Sequence, residues 1–484
     1  MMEIVMRSTK IVCTIGPASA SEETLEALIH AGMNVARLNF SHGDHPSHRA
    51  LIKDIRTIAA RLGEPVAILQ DLCGPKIRLG MLPEQGVRLN QGELVTLSAS
   101  DHHVEGSIPV DYSHLHKDVS VGAAIMLADG LMELRVEEID GVKVICRVVN
   151  GGIAYRRKGV NMPCSDLSIP AFTDKDRDDL RFGLEEGVDA VALSFVRNAE
   201  DLDDIHTMLD AAAYSPKLIA KIEKPQAVEA FDAILARVDG VMIARGDLGV
   251  EVPLETVPVI QKDLIRRARS RGKFAITATQ MLSSMVASPR PTRAEATDVA
   301  NAIYDGTDAL MLSDETASGE YPVEAAQMLD KIACATEPHV HTTLDMETVD
   351  VADETAVARA IGRACGWLAN DLNAAAILAY TQSGFTARCV ARFRPGCAVV
   401  AMSPDARVCR QLNLIWGVKP VQIDALDSSD ALFVTARRWS LRTKVASLSD
   451  CIVVTAGTPL WQPGSTNLIK VIELDKGLDV QCDD

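Results

Sequence analysis

Lys221 and Glu223 stand two residues apart at the end of the apolar run KLIAKIE. On a β-strand this spacing puts a cation and an anion on one face, and charges buried there need partners or a metal. The pair points to a site where Glu223 holds a cation and Lys221 meets an anionic substrate, with a plain intrastrand ion pair as the alternative. Other apolar runs end in the same polar way. Arg37, Asn39 and Ser41 alternate with Leu38 and Phe40 in RLNFSHG, Asp71 closes VAILQDL, Arg245, Gly246 and Asp247 follow GVMIA, and Thr277 and Thr279 lie in FAITATQ. Glu223 and Asp247 offer hard oxygens suited to Mg²⁺ or Mn²⁺, with water and substrate completing the shell. Arg37, Arg78 and Lys221 supply positive charge for a phosphate, and arginine suits bidentate contacts. Gly246 lets backbone N–H groups approach an anion, and GDLGV before PLETVPVI reads as a turn leading into a helix start. The chain has neither a Walker A sequence nor G-x-G-x-x-G, and no H-E-x-x-H spacing for zinc.

These residues need a frame that gathers strand ends. Eight short apolar runs alternate with amphipathic helical stretches: 10 to 16, 35 to 40, 66 to 72, 190 to 195, 218 to 223, 240 to 245, 274 to 280 and 309 to 313. Eight β-α units predict a (β/α)8 TIM barrel, an α/β fold whose chemistry sits at the C-terminal strand ends. Residues 75 to 170 carry short alternating segments such as GELVTLSA and VKVICRVV and read as an inserted all-β lid domain over the mouth. The barrel resumes with a helix capped by Thr173 or Asp174 and stopped near Gly187. After residue 345 the polar stretch VHTTLDMETVDVADET leads to an open-sheet α/β domain with strands AAILAY, CAVVAMS, VKPVQID, CIVVTAG and LIKVIEL. The expected partition is barrel 1–74, lid 75–170, barrel 171–345 and C-terminal domain 346–484.

Composition bounds the function. A chain of 484 residues with 47% hydrophobic but only 4% aromatic residues suits helix-covered parallel sheets in two to four domains. A net charge of −17 argues against nucleic acid or an anionic membrane surface as the main partner. The eleven cysteines are scattered without a C-x-x-C pair, no secretory h-region opens the chain, and no apolar stretch reaches a membrane span. A reducing, cytoplasmic location is expected. Cys13 and Cys73 read as packing residues, and His42, His45 and His48 as loop and helix-start residues.

The segments TKIVCTIGPAS, MNVARLNFSHG, DLCGPKIRLG, IAKIEKPQAV, VMIARGDLGVE, ITATQMLSSM, PTRAEATDVANAIYDGTDALMLSDETASGEYP and TQSGFTAR resemble those of the pyruvate kinase family, bacterial type, over nearly the whole chain. The resemblance implies phosphoryl transfer from phosphoenolpyruvate to ADP. It makes Lys221 the group that neutralises the enol oxygen, Glu223 and Asp247 the ligands of Mg²⁺ or Mn²⁺, and Arg37 and Arg78 the phosphate contacts. Ala244, Arg245, Gly246, Asp247 and Thr279 line the substrate, Thr279 helping the enolate gain its proton. Asn39, Ser41, Asp71 and Leu72 fall at the family's monovalent-cation site. Here the chain departs from the potassium-dependent pattern: Leu72 replaces Thr and Lys76 stands in G-P-K-I-R where Glu is usual, so Lys76 is expected to replace K⁺. Thr381, Ser383, Gly384 and Thr386 resemble an effector-phosphate loop, an ordinary capped helix being the alternative. The short WQPGSTN segment favours a sugar monophosphate or AMP over fructose 1,6-bisphosphate as effector. Relatives imply a homotetramer. A metal-dependent aldolase or lyase of the phosphoenolpyruvate/pyruvate barrel group, or a non-catalytic sugar-phosphate sensor, are the competing readings.

Overall fold

A computed structural model describes residues 7–100, 106–163, 165, 167–340, 356–460 and 466–475. Residues 341 to 355 of the polar stretch and 461 to 465 of WQPGSTN lie outside the described residues. The eight expected runs are all strands: β1 (Lys10–Thr14), β2 (Val35–Asn39) and β3 (Ala67–Asp71), then, after the insertion, five more. The insertion carries β4 (Val87–Leu89), β5 (Leu94–Ala99), β6 (Ile108–Val110), β7 (Ala124–Leu127), β8 (Met132–Asp140), β9 (Lys143–Asn150), β10 (Gly152–Ala154) and β11 (Val160–Asn161). The barrel then continues through β12 (Ala190–Leu193), β13 (Lys217–Ile222), β14 (Gly240–Ala244), β15 (Phe274–Ala278) and β16 (Ala309–Leu312).

Parallel pairing closes these eight into one barrel, β1-β16-β15-β14-β13-β12-β3-β2. Period-2 alternation sorts the side chains into two layers. Val12, Leu69, Ile219, Met242 and Met311 fill the interior, while Leu38, Ile68, Ala220 and Ile243 face the helices. Strands covered on both sides must be apolar throughout, which is why the runs read as nearly continuous. Close packing demands glycine at one point: a Cβ on Gly240 would sit 2.4 Å from the Phe274 ring.

The insertion has its own core around Leu79, Leu97, Ile125, Leu134 and Val144. Its strands form a six-stranded sheet, β11-β7-β8-β9-β5-β6, beside the pair β10-β4. The helix that resumes the barrel, Asp174–Glu186, has Thr173 as N-cap in a capping box with Asp176 and ends on Gly187 in the left-handed region, φ 71°. Buried Asp176 also accepts from Gly74 N at 3.0 Å, tying this helix start to the turn where the chain leaves the barrel for the insertion.

The C-terminal part is a five-stranded sheet ordered β19-β18-β17-β20-β21, from β17 (Ala376–Tyr380), β18 (Ala398–Ser403), β19 (Val418–Gln422), β20 (Cys451–Gly457) and β21 (Thr466–Glu473). Only the edge strand β21 runs antiparallel. Its buried Ile377, Ala379, Val399 and Leu412 belong to one contiguous apolar cluster with the barrel interior.

Candidate active site

Four charged groups converge at the barrel mouth because three neighbouring or nearby strands end together. Lys221, one residue before the end of β13, places Nζ 2.9 Å from Glu223 Oε1 and 3.3 Å from Asp71 Oδ1, and donates to Ser194 Oγ at 2.8 Å. Asp71, the last residue of β3, turns its other oxygen to Arg37 Nε at 2.7 Å, and Arg37 Nη1 donates to Thr14 Oγ1 at 2.8 Å. Both carboxylates are buried, Asp71 and Glu223 each 1% exposed. Burial alone would pull the Lys221 ammonium down, but Asp71 and Glu223 outweigh it and hold its pKa above the usual lysine range. Burial would likewise raise Asp71, yet Lys221 and Arg37 keep its carboxyl below the ordinary range. Glu223 goes the other way: burial raises it, the pull of Lys221 does not offset this, and Asp247 adds to the rise.

Glu223 Oε2 accepts from Phe195 N at 3.0 Å. Oε1 pairs with Lys221 Nζ at 2.9 Å and has no other partner among the described residues. A carboxylate oxygen accepts more than one partner, so Oε1 retains capacity for a cation beside the ammonium. Among the described residues no group of three or more His, Cys, Asp or Glu could hold a metal. An ion on Glu223 and Asp247 would therefore draw most of its shell from water and substrate, which suits Mg²⁺.

The turn expected at GDLGV is instead a helix, Arg245–Glu251, with Gly246 and Asp247 in its first turn. Two glycines lower its intrinsic propensity. Tertiary contacts override that: Thr279 Oγ1 accepts from Gly246 N at 2.7 Å, and an acid in the first turn favours the helix dipole. Thr279 Oγ1 also donates to Ala278 O at 2.7 Å. Phe195, Thr279 and Gln280 have φ of 57°, 65° and 53°, non-glycine residues in the left-handed region just beyond β12 and β15. Such strain tends to gather at functional sites.

Some expected residues are not brought into the cluster. Arg245 is turned away, its guanidinium bound to Asp298 at 2.7 Å, Thr279 O at 2.8 Å and Ala278 O at 3.3 Å, so only its backbone and that of Ala244 adjoin the site. Arg78 sits in the insertion and donates to Arg157 O at 3.1 Å. Lys76 lines a cavity between insertion and barrel with Asn161, Phe195, Arg197, Lys224 and Asp247, its Cε beside Gly159. Asn39 Oδ1 accepts from Ser41 N at 3.1 Å, and Leu72 packs into the core while its carbonyl accepts from Ser194 Oγ at 2.7 Å. Cys13 is buried, which pushes its thiol up to about 12 and leaves it inert.

The sequence did not single out Thr14, Ser194 or a trio in which Lys224 and Glu251 are buried and Asn161 is half-buried. Glu251 Oε1 accepts from Lys224 Nζ at 2.7 Å and from Asn161 Nδ2 of the insertion at 3.1 Å, linking the lid to residues adjoining Glu223 and Asp247. A lone polar residue inside AVALSF was the available signal for Ser194; Asn161 had none. In the C-terminal sheet, Gly384 with φ 82° precedes the helix Phe385–Ala391. Thr386 Oγ1 lies 2.8 Å from Thr466 Oγ1, whereas Ser383 and Gly384 line a small cavity with Lys217 and Arg388, and Thr381 is buried.

Comparison with known proteins agrees over nearly the whole chain. The pyruvate kinase barrel domain family matches residues 6–326, and the pyruvate kinase alpha/beta domain family matches residues 359–472. A pyruvate kinase of Staphylococcus saprophyticus is 47% identical over 472 residues, 96% of this chain and 80% of its own length. Pyruvate kinase 2 of Synechocystis is 50% identical over 470 residues, 96% and 79% respectively. The crystal structure of a pyruvate kinase from Cryptosporidium parvum superposes with a TM-score of 0.91 at 36% identity, covering 97% of this chain and 96% of that one.

The Asp71 contacts set a pH-dependent stability. A carboxyl whose folded pKa lies below its unfolded value stabilises the fold above the unfolded pKa and ceases to as pH falls through the folded one. Asp71→Asn is expected to cost about 3 kcal/mol or more at pH 7 by unpairing buried charges. In urea unfolding, that gap should narrow once pH drops below about 4; a gap of constant size from pH 7 to pH 3 contradicts the assignment.

Proposed function

The chain belongs to the pyruvate kinase family, and from that premise we propose how its barrel mouth works. The reaction is transfer of the phosphoryl group of phosphoenolpyruvate to ADP, giving pyruvate and ATP, so the protein is a phosphotransferase. The observation that carries the residue assignment is the part-buried Lys221 ammonium, kept charged by the two buried carboxylates it pairs with, Glu223 at 2.9 Å and Asp71 at 3.3 Å. In the reaction the bond between phosphorus and the enol oxygen breaks, a bond to the terminal ADP oxygen forms, and the enolate left behind takes a proton at its methylene carbon.

Lys221 meets the negative charge that develops on the enol oxygen, an electrostatic contribution aimed at the transition state. Mg²⁺, or Mn²⁺, held by Glu223 and Asp247 would neutralise phosphoryl and carboxylate charge. Arg37 spends Nε and Nη1 on Asp71 and Thr14, and among the described residues its Nη2 makes no hydrogen bond, which leaves that edge for the phosphate. Arg78 joins it when the insertion closes over the mouth. The backbone of Ala244 to Asp247 borders the substrate carboxylate, and Thr279, held on Gly246 N, relays the proton through water. The same reading divides the chain at 74, 170 and 345, assigns a cytoplasmic homotetramer, and places an effector phosphate at Thr381, Ser383, Gly384 and Thr386. No described helix is long and apolar enough to cross a membrane. An aldolase or lyase does not account for a match that extends through the C-terminal sheet, and a sensor without chemistry has no use for the Lys221 cluster.

Three outcomes test this reading. Lys221→Met should lower kcat by roughly a thousandfold, the size of losing one transition-state donor, while Mn²⁺ binding measured by electron paramagnetic resonance persists and Glu223→Gln weakens it; near-normal turnover of Lys221→Met removes the assignment. Lys76 supplies the monovalent charge, so the enzyme should turn over fully without K⁺ and Lys76→Glu should make it K⁺-dependent; a strict K⁺ requirement in the unmodified enzyme refutes this role. Glucose 6-phosphate or AMP should shift the phosphoenolpyruvate saturation curve more than fructose 1,6-bisphosphate does. No shift with any phosphate ester counts against the loop at residues 381 to 386.

A further inference from the structure

The N-terminal end of the barrel carries a repeated clasp. One residue before each even-numbered barrel strand, the chain has Asn34, Asp189, Asp239 and Asp308, in the segments MNVARL, VDAVAL, VDGVMI and TDALML. Each joins the preceding odd strand at one residue by two bonds. The backbone N–H donates to that residue's carbonyl, Asn34 to Ile11, Asp189 to Ile68, Asp239 to Leu218 and Asp308 to Ala275, all at 2.9 Å. The side-chain oxygen accepts the same residue's N–H, at 3.0 Å from Ile11, 2.8 Å from Ile68, 3.0 Å from Leu218 and 3.0 Å from Ala275. The strands so clasped are the ones that carry Thr14, Asp71, Lys221 and Thr277 toward the mouth.

The second oxygen of each aspartate faces the C-terminal sheet. Asp189 Oδ1 meets Arg410 Nε at 2.8 Å, Asp239 Oδ1 meets Arg388 Nη1 at 3.8 Å, and Asp308 Oδ1 meets Arg394 Nη2 at 3.2 Å. Barrel cations assist at two of the three, Arg56 on Asp189 at 2.6 Å and Lys217 on Asp239 at 3.2 Å. Trp416 N adds a bond to Asp308 Oδ1 at 3.2 Å. The fourth clasp is an internal control. Asn34 is neutral, and the arginine on it, Arg7 Nη1 at 3.1 Å, comes from the barrel's own N-terminal segment. Acid appears where a C-terminal arginine docks and amide where none does.

We propose that Asp189, Asp239 and Asp308 are positioning residues through which the C-terminal sheet sets the alignment of β3, β13 and β15 and hence of Asp71, Lys221 and Thr279. The lever is short. Ile68 precedes Asp71 by three residues and Leu218 precedes Lys221 by three, about 10 Å of extended strand. Such a strand, paired on both sides, shifts as a unit, and catalytic geometry tolerates little displacement. The inference rests on the assignment of Lys221 and Asp71 given above; of its arms, Arg388 shares a small cavity with Ser383 and Gly384, whereas Arg410 belongs to a different helix, Ala406–Gln411.

The experiment uses the full-length enzyme. Turnover of phosphoenolpyruvate and ADP by the unmodified protein is measured first, so that failure of the activity is seen separately. The double variant Arg388→Gln/Arg410→Gln removes two cross-unit arms whose side chains are only part-buried and leaves every clasp oxygen in place. Its kcat should fall about fivefold or more, the range of coupling between distant sites, with a circular-dichroism melting midpoint close to the parent's; Arg388→Lys/Arg410→Lys should recover most of the loss. A folded Gln variant with parental kcat and phosphoenolpyruvate half-saturation overturns the proposal and leaves the aspartates as a docking surface. Should the variant not fold, hydrogen exchange on the unmodified enzyme decides. Adding phosphoenolpyruvate with Mg²⁺ should alter protection of peptides covering 383 to 394 and 405 to 416 together with those containing Ile68, Leu218 and Ala275, and a response confined to the barrel mouth rejects the coupling.

Discussion

A part-buried ammonium needs opposite charge on more than one side, and the contact of Lys221 with Asp71 and Glu223 is the constraint from which the rest of this structure follows. Desolvation would otherwise strip the proton from the amine. Asp71 is shared with Arg37, so two cations and two buried carboxylates settle one another at the barrel mouth. Glu223 Oε1 has Lys221 as its one partner among the described residues, and that oxygen is where a divalent cation would bind. Removing Lys221 leaves the buried Glu223 carboxylate without its cation, and removing Asp71 leaves the Arg37 guanidinium without its carboxylate.

Only a closed barrel brings these groups together from residues 37, 71, 221 and 223 without long side chains having to reach. β12 and β13 pair in register, and Ser194, just past β12, meets Lys221. Strained backbone at Phe195 and Thr279 marks the points where strands turn sharply out of the barrel, and it uses Glu223 and Gly246 as partners. The insertion enters through Asn161, which reaches the Glu251 and Lys224 pair beneath the cavity lined by Asp247. The C-terminal sheet enters from the opposite end through three aspartates.

Much of this was legible in the sequence. Eight apolar runs predicted eight strands because a doubly covered strand has no choice but to be apolar, and polar residues at their ends marked the mouth. The helix Asp174–Glu186 was legible from Thr173 and Gly187, whose capping chemistry is local. What escaped was set by partners distant in the chain. Arg245 was expected to line the substrate, but Asp298 and the carbonyls of Ala278 and Thr279 claim its guanidinium. The helix at GDLGV was hidden by its glycines and depends on a threonine thirty-three residues away. The clasp residues were visible as a recurring N or D before a strand, yet their meaning required knowing which strand lies beside which.

The central claim is that the charged cluster at Lys221 serves phosphoryl transfer from an enol to a nucleotide. The most direct measurement follows pyruvate and ATP together from phosphoenolpyruvate and Mg²⁺, with ADP present and then withheld. The account predicts one ATP for each pyruvate when ADP is present and no pyruvate without it. Pyruvate released at an equal rate in the absence of ADP, or none formed in its presence, would contradict it.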